Sequence, residues 1–151
     1  MVSGSDDYRA PRRVVHVWDV GSGAEEATLK GHTGAVRASV VCGERLMSAG
    51  EDGKICIWAV GTWELLLTVL AYSDASDQYI RSMAVSGSKL VTASTSIEYG
   101  GRCEVRVWGL ESLECEHTLR QPARADVFCL LGMSGEVWGG VGREVVVWGR
   151  E

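Results

Sequence analysis

His32, Ser48 and Asp52 fall within 21 residues of one another in a chain of 151. A hydroxyl, an imidazole and a carboxylate are the parts of a nucleophile, its general base and the group that orients the base. The set therefore admits a serine hydrolase, although no glycine-rich loop accompanies it to serve as an oxyanion hole. Cys103, Cys115 and His117 carry zinc-ligand chemistry but lack the paired spacing of a zinc module, and the five cysteines read as small core hydrophobes. His16 sits in an apolar run and reads as a packed or surface histidine. Gly21-Ser22-Gly23 lacks the third glycine and the following helix of a dinucleotide loop, so it reads as a turn. Neither a metal nor a cofactor is expected.

The composition says what must hold these residues. The chain has 20 Val against four Ile, with 19 Gly, 2 Pro, 6 Trp and one Phe. β-branched residues with abundant glycine favour strands and tight turns over helices. A net charge of −5 argues against nonspecific nucleic-acid binding, which needs a basic surface. No apolar run is long enough for a membrane span. Met1 to Asp7 is polar and acidic, unlike a signal or transit peptide. An odd number of cysteines without a C-x-x-C, and no asparagine for a sequon, points to a reduced intracellular setting: cytoplasmic, with the nucleus left open.

Four short apolar runs end in tryptophan: Val14–Trp18, Ile55–Trp58, Val105–Trp108 and Val145–Trp148. The tryptophans are 40, 50 and 40 residues apart. A second register agrees, because Val36–Ala49 aligns without a gap on Ile80–Ala93. The runs are too short for helices and nearly apolar throughout, which predicts strands buried on both faces. Radially stacked sheets, each covered by its neighbours, produce that pattern.

The unit Leu29-Lys30-Gly31-His32, followed by Ser48-Ala49-Gly50-Glu51-Asp52-Gly53 and Ile55-Cys56-Ile57-Trp58, resembles the repeat of the WD-repeat β-propeller family. Trp18-Asp19 supplies the family's dipeptide, which elsewhere is Trp58-Ala59, Trp108-Gly109 and Trp148-Gly149. The resemblance implies an all-β fold of four-stranded antiparallel blades with about 14 strands. Blade one spans 1–30, blade two 31–70, blade three 71–120 and blade four 121–151, with the first and last each short of a strand. At a period of roughly 42 residues this is about three and a half blades. Such an arc leaves open blade edges, which offer a route to self-association.

The resemblance also gives His32, Ser48 and Asp52 a structural role. With Trp58 they match the family's hydrogen-bonded tetrad, in which the hydroxyl satisfies the buried indole N–H. Partial sets remain at Ser3, Asp7 and Trp18, at Thr92 and Trp108, and at Trp148. Ser96 stands where blade three needs an aspartate, and Trp138 or Gly139 stands at the hydroxyl position of blade four. Blade two, with the complete set, is expected to be the most rigid.

In the family, turns between the second and third strands and loops between blades open on one rim. Tyr8, Tyr72, Tyr79 and Tyr99 map there, as do Arg37, Glu51, Arg81 and Arg102. Tyr and Arg are enriched at interface hot spots. The expected function is a protein-interaction scaffold that offers Tyr8, Arg37, Glu51, Tyr79, Arg81, Tyr99 and Arg102 to a peptide or folded partner, without catalysis. Two alternatives stand beside it. One is a piece of a multidomain protein in which the propeller recognises substrate for a catalytic or ubiquitin-ligase module. The other is the hydrolase of Ser48, His32 and Asp52.

Overall fold

The structure is a computed structural model that describes residues 2–4, 13–72, 78–96, 103–120, 127–133, 135–141 and 144–148. It is all-β, with two four-stranded and two three-stranded antiparallel sheets among the described residues, in an incomplete β-propeller-like arrangement. The first sheet joins β1 (Val2–Gly4), β2 (Val14–Trp18) and β3 (Glu25–Lys30). The second joins β4 (Val36–Cys42), β5 (Arg45–Gly50), β6 (Lys54–Ala59) and β7 (Leu65–Leu70). The third joins β8 (Gln78–Ser86), β9 (Lys89–Ser96), β10 (Glu104–Gly109) and β11 (Cys115–Arg120). The fourth joins β12 (Val127–Met133), β13 (Glu136–Val141) and β14 (Glu144–Trp148).

The hairpins are set by their turns. Gly43 and Gly87 close β4–β5 and β8–β9 in the left-handed conformation, which glycine reaches without a Cβ penalty. The turn after β2 is held by the aspartate of the Trp18-Asp19 pair. Its Oδ1 accepts from the backbone N–H of Gly21 at 2.6 Å and of Ser22 at 2.9 Å. The corresponding turns after β6 and β10 lack that carboxylate and place Trp63 and Leu113 at positive φ.

Three cores lie between consecutive sheets. Val15, Val17 and Leu29 of the first meet Leu46, Cys56 and Trp58 of the second. Met47, Ile55 and Ile57 of the second meet Ile80, Met83, Leu90 and Trp108 of the third. Ala84, Val91 and Val105 of the third meet Val137 of the fourth. In β6 the side chains alternate between two of these cores, with Ile55 and Ile57 on one and Cys56 and Trp58 on the other. Its continuous apolar run is thus a strand buried on both faces.

That expectation fails at the two ends. β2 buries Val15 and Val17 but turns His16 toward solvent, where Nδ1 meets Glu25 at 2.6 Å. In the fourth sheet Leu131, Trp138, Val145 and Val147 remain exposed. The cause is the stacking: a strand is buried on both faces only when sheets flank it on both sides. Among the described residues, no hydrophobic core joins the first sheet to the fourth.

Candidate functional site

The chain brings His32, Ser48, Asp52 and Trp58 together in the second sheet. His32 lies two residues after the end of β3, Ser48 lies within β5, Asp52 lies in the turn to β6, and Trp58 lies near the end of β6. Gly31 has to be small here, because a Cβ would stand 2.9 Å from Trp58 Cη2. His32 Nδ1 lies 2.9 Å from Asp52 Oδ2, and His32 Nε2 lies 2.8 Å from Ser48 Oγ. Trp58 Nε1 donates to the same Oγ at 2.9 Å. Asp52 also accepts from the backbone N–H of Thr33 at 2.8 Å and of Lys54 at 3.2 Å. The carboxylate therefore ties the loop before β4 to the turn between β5 and β6.

Nδ1 faces a carboxylate and so carries a proton. Burial pulls the His32 pKa down, but the bonds to Asp52 and Cys56 and the charge beside the ring together outweigh it, and the pKa is raised to about 9. Burial likewise pushes the Asp52 carboxyl up, and its bonds to His32 and the Thr33 amide bring it down to about 2. At neutral pH the pair is imidazolium and carboxylate. An imidazolium has no lone pair with which to take a proton from Ser48. Ser48 is itself 0% exposed.

The third sheet carries a different set at matching places. Trp108 Nε1 donates to Thr92 Oγ1 at 3.0 Å. Ala71-Tyr72 follows β7 as Gly31-His32 follows β3, so Tyr72 takes the place of the histidine. The rim position expected for Tyr72 is wrong: the residue is 3% exposed and belongs to the core between the second and third sheets. Its backbone decides this. The amides of Ala71 and Tyr72 both donate to Gly53 O, at 2.9 and 3.0 Å, which draws the ring inward. Gly53 has φ +66°, and a Cβ there would stand 2.5 Å from Tyr72 O.

Arg106 caps the buried ring with its guanidinium carbon 4.0 Å from the Tyr72 centroid, a cation–π geometry. Arg106 also donates to Ala71 O and pairs with buried Glu104 at 2.9 Å. Arg120 meets the other carboxylate oxygen at 3.4 Å. Among the described residues the buried Tyr72 hydroxyl makes no well-formed hydrogen bond; burial pushes its pKa up, and the nearby Ser94 and Thr92 hydroxyls hold it back. Sequence reading missed this cluster. The 40-residue offset that carries Trp18 onto Trp58 also carries Gly31-His32 onto Ala71-Tyr72, and would have found it.

The remaining sets are placed by strand register. Ser48 stands opposite Cys56 and Thr92 opposite Arg106, in each case two residues before the tryptophan. By the same rule Ser3 stands opposite His16, and Gly139 stands opposite Val146. Of the two candidates in the fourth sheet, Gly139 holds the hydroxyl position, and Trp148 pairs with Val137. Ser96 ends β9 rather than lying in a turn. Asp7 lies outside the described residues.

Of the rim candidates, Tyr8, Tyr99 and Arg102 also lie outside the described residues. The strand pairing shifts register between Val36 and Ala38 and between Ile80 and Ser82. Arg37 and Arg81 are the extra residues of these two bulges, and a bulge re-aims its side chain. Arg37 Nε donates to Glu51 Oε1 at 3.0 Å, and both side chains stay about two-fifths exposed. Tyr79 and Arg81 are half-buried. Cys103 is buried and Cys115 exposed. Among the described residues no group of three His, Cys, Asp or Glu could hold a metal ion, and no helix is long and apolar enough to cross a membrane.

No protein-family model matches the chain. It is 28% identical over 123 residues to the THO complex subunit 6 of Arabidopsis thaliana, a match covering 80% of this chain and 32% of that one. It is 26% identical over 111 residues to the p21-activated protein kinase-interacting protein 1-like of Danio rerio, covering 73% and 27%. It is 32% identical over 78 residues to the ribosome biogenesis protein BOP1 homolog of Caenorhabditis elegans, covering 44% and 12%. These relatives are WD-repeat proteins, and the chain spans a third or less of their length. The crystal structure of the computationally designed Ika4 protein superposes with a TM-score of 0.73 at 22% identity, covering 99% of this chain and 84% of that one. That likeness concerns the fold.

Proposed function

We propose that the chain is a run of WD-repeat blades acting as a protein-interaction scaffold without chemistry of its own. The observation that carries this reading is the division of the polar residues. The potential nucleophile Ser48 is sealed in the core, whereas Arg37 and Glu51 stay at the surface at one end of the second sheet. The matching bulge of the third sheet carries Arg81. A buried set joined by hydrogen bonds braces loops, and a surface Arg37 with a half-buried Tyr79 and Arg81 suits partner contact. The names of the relatives, a complex subunit and a kinase-interacting protein, support protein partners. A THO complex subunit and a ribosome biogenesis protein among them fit an intracellular setting that includes the nucleus.

On this reading His32, Ser48, Asp52 and Trp58 form a structural clamp, and Arg37, Glu51, Tyr79 and Arg81 form the described part of the partner-binding rim. Replacing Arg37, Tyr79 and Arg81 together with alanine abolishes capture of partners from native lysate while the thermal transition is kept. Unchanged capture by the folded triple variant sinks the rim assignment. Labelling of Ser48 by a serine-directed covalent probe sinks the non-catalytic reading.

A further inference from the structure

The contacts between consecutive sheets are one arrangement made three times. In the second sheet Ile55 and Ile57 face the next sheet, and Cys56 and Trp58 face the previous one. Val145 and Val147 stand in the same places before Trp148 as Ile55 and Ile57 before Trp58, so they point where a fifth sheet would lie. They are 70% and 43% exposed. His16 and Trp18 match Cys56 and Trp58, so they point where a sheet before the first would lie, and both are half-buried. The two free faces are thus the two halves of a contact that the chain already makes between its own sheets. Among the described residues no hydrophobic core covers either of them.

The free face of the fourth sheet is shaped for one kind of neighbour. Its cross-strand row is Leu131, Trp138 and Val147. The same row reads Val40, Met47 and Ile57 in the second sheet, and Ala84, Val91 and Val107 in the third. Those two rows face sheets that possess a first strand, because β4 meets β8 and β8 meets β12. The first sheet has no such strand. Ser3 of β1 stands opposite His16 as Ser48 of β5 stands opposite Cys56, so β1 matches β5 and nothing matches β4. A sheet short of its first strand leaves a gap beside the first two strands of its neighbour, and close packing requires that gap to be filled. The fourth sheet carries its larger side chains, Leu131 and Trp138, on those two strands. The His16–Glu25 pair is compatible with burial there, since the third sheet carries Arg106 at the matching place, paired with buried Glu104.

We propose that the fourth sheet of one copy of this chain stacks face to face on the first sheet of a second copy, and that the reverse contact forms at the other end. Leu131 and Trp138 of one copy fill the space left beside β1 of the other. Val145 and Val147 cover His16 and Trp18, as Ile55 and Ile57 cover the third sheet. A two-fold axis makes the contact twice and leaves neither face open. The outcome is a closed ring of eight sheets built from two chains.

Sedimentation of the full chain over a dilution series tests this. The wild type moves reversibly between the 16.3 kDa monomer and twice that mass, and goes no higher. Leu131→Glu and His16→Glu each bury an unpaired charge in the contact and weaken the dimer about a hundredfold. Trp138→Val installs the residue that the third sheet has at that place and weakens it about tenfold. Leu70→Lys, at an exposed site on β7 outside the contact, leaves it unchanged. Leu131→Glu keeps the first-sheet face whole and His16→Glu keeps the fourth-sheet face whole, so mixing the two variants restores a dimer through one intact contact. A wild type that stays monomeric throughout, or that grows to higher multiples, overturns the proposal. So does a folded Leu131→Glu, His16→Glu or Trp138→Val variant that dimerises like the wild type, a dimer lost in Leu70→Lys, or a mixture that stays monomeric.

Discussion

The second and third sheets hold their loops by different chemistry at corresponding positions. In the second, an imidazole between a carboxylate and a hydroxyl joins the loop before β4 to the turn after β5, and every polar atom shown has a partner. In the third, a tyrosine takes the place of the histidine and an arginine takes the place of Cys56. The loop before β8 is then held by a ring stacked under a guanidinium and by backbone bonds to Gly53. The hydroxyl–indole bond is common to both. One architecture therefore accepts a hydrogen-bonded brace or a stacked one. The stacked one leaves a buried phenol hydroxyl with no well-formed hydrogen bond among the described residues, a state that carries a desolvation cost.

The largest test of this difference is His32→Ala. It strands the Asp52 carboxylate in a buried site and removes a partner of Ser48, at a cost of about 3 kcal/mol. A shift in the urea midpoint below that seen for Arg106→Ala would reverse the ranking of the two braces. Arg106→Ala removes the cation–π contact and one of the two partners of Glu104, and costs about 2 kcal/mol.

The braces also differ in their response to pH. His32 has a raised pKa, so its contribution is fully present below about 6.5 and is lost as pH rises through about 9. Asp52 has a lowered pKa, so its contribution is present above about 3.8 and is lost as pH falls through about 2. Unfolding midpoints across this range should fall at both ends in the wild type. The alkaline fall between 6.5 and 9 should be absent in His32→Gln, and its persistence there would assign it to another group.

Smaller effects separate the shared bond from the unshared hydroxyl. Thr92→Val removes the acceptor for Trp108 and costs about 1 kcal/mol. Tyr72→Phe removes a hydroxyl that makes no well-formed hydrogen bond among the described residues, so it leaves stability unchanged or raises it by less than about 1 kcal/mol. A loss in that variant would reveal a partner for the phenol.

Much of the molecule was legible in the chain because it repeats. Strand order, the hairpin turns and the spacing of His32, Ser48, Asp52 and Trp58 follow from local alternation and from a pattern that recurs. Tyr72 was misread because an aromatic in a loop carries no local sign of its direction; only the 40-residue offset onto His32 marks its place. Two backbone bonds to Gly53, a residue of the neighbouring turn, point it inward. Arg106 and Glu104 were passed over for the same reason, since charged residues on a strand look solvated until a ring and a second arginine cover them.

Sequence alone determined the repeat, the strand periods and the residues able to brace a loop, because each depends on neighbours close along the chain. Only the tertiary structure decided which faces are covered. The equally apolar runs of β6 and β14 end up buried and exposed because one lies between two sheets and the other packs against a single sheet. It also decided which hydroxyl is sealed from solvent, since that depends on what the stacked sheets bring alongside.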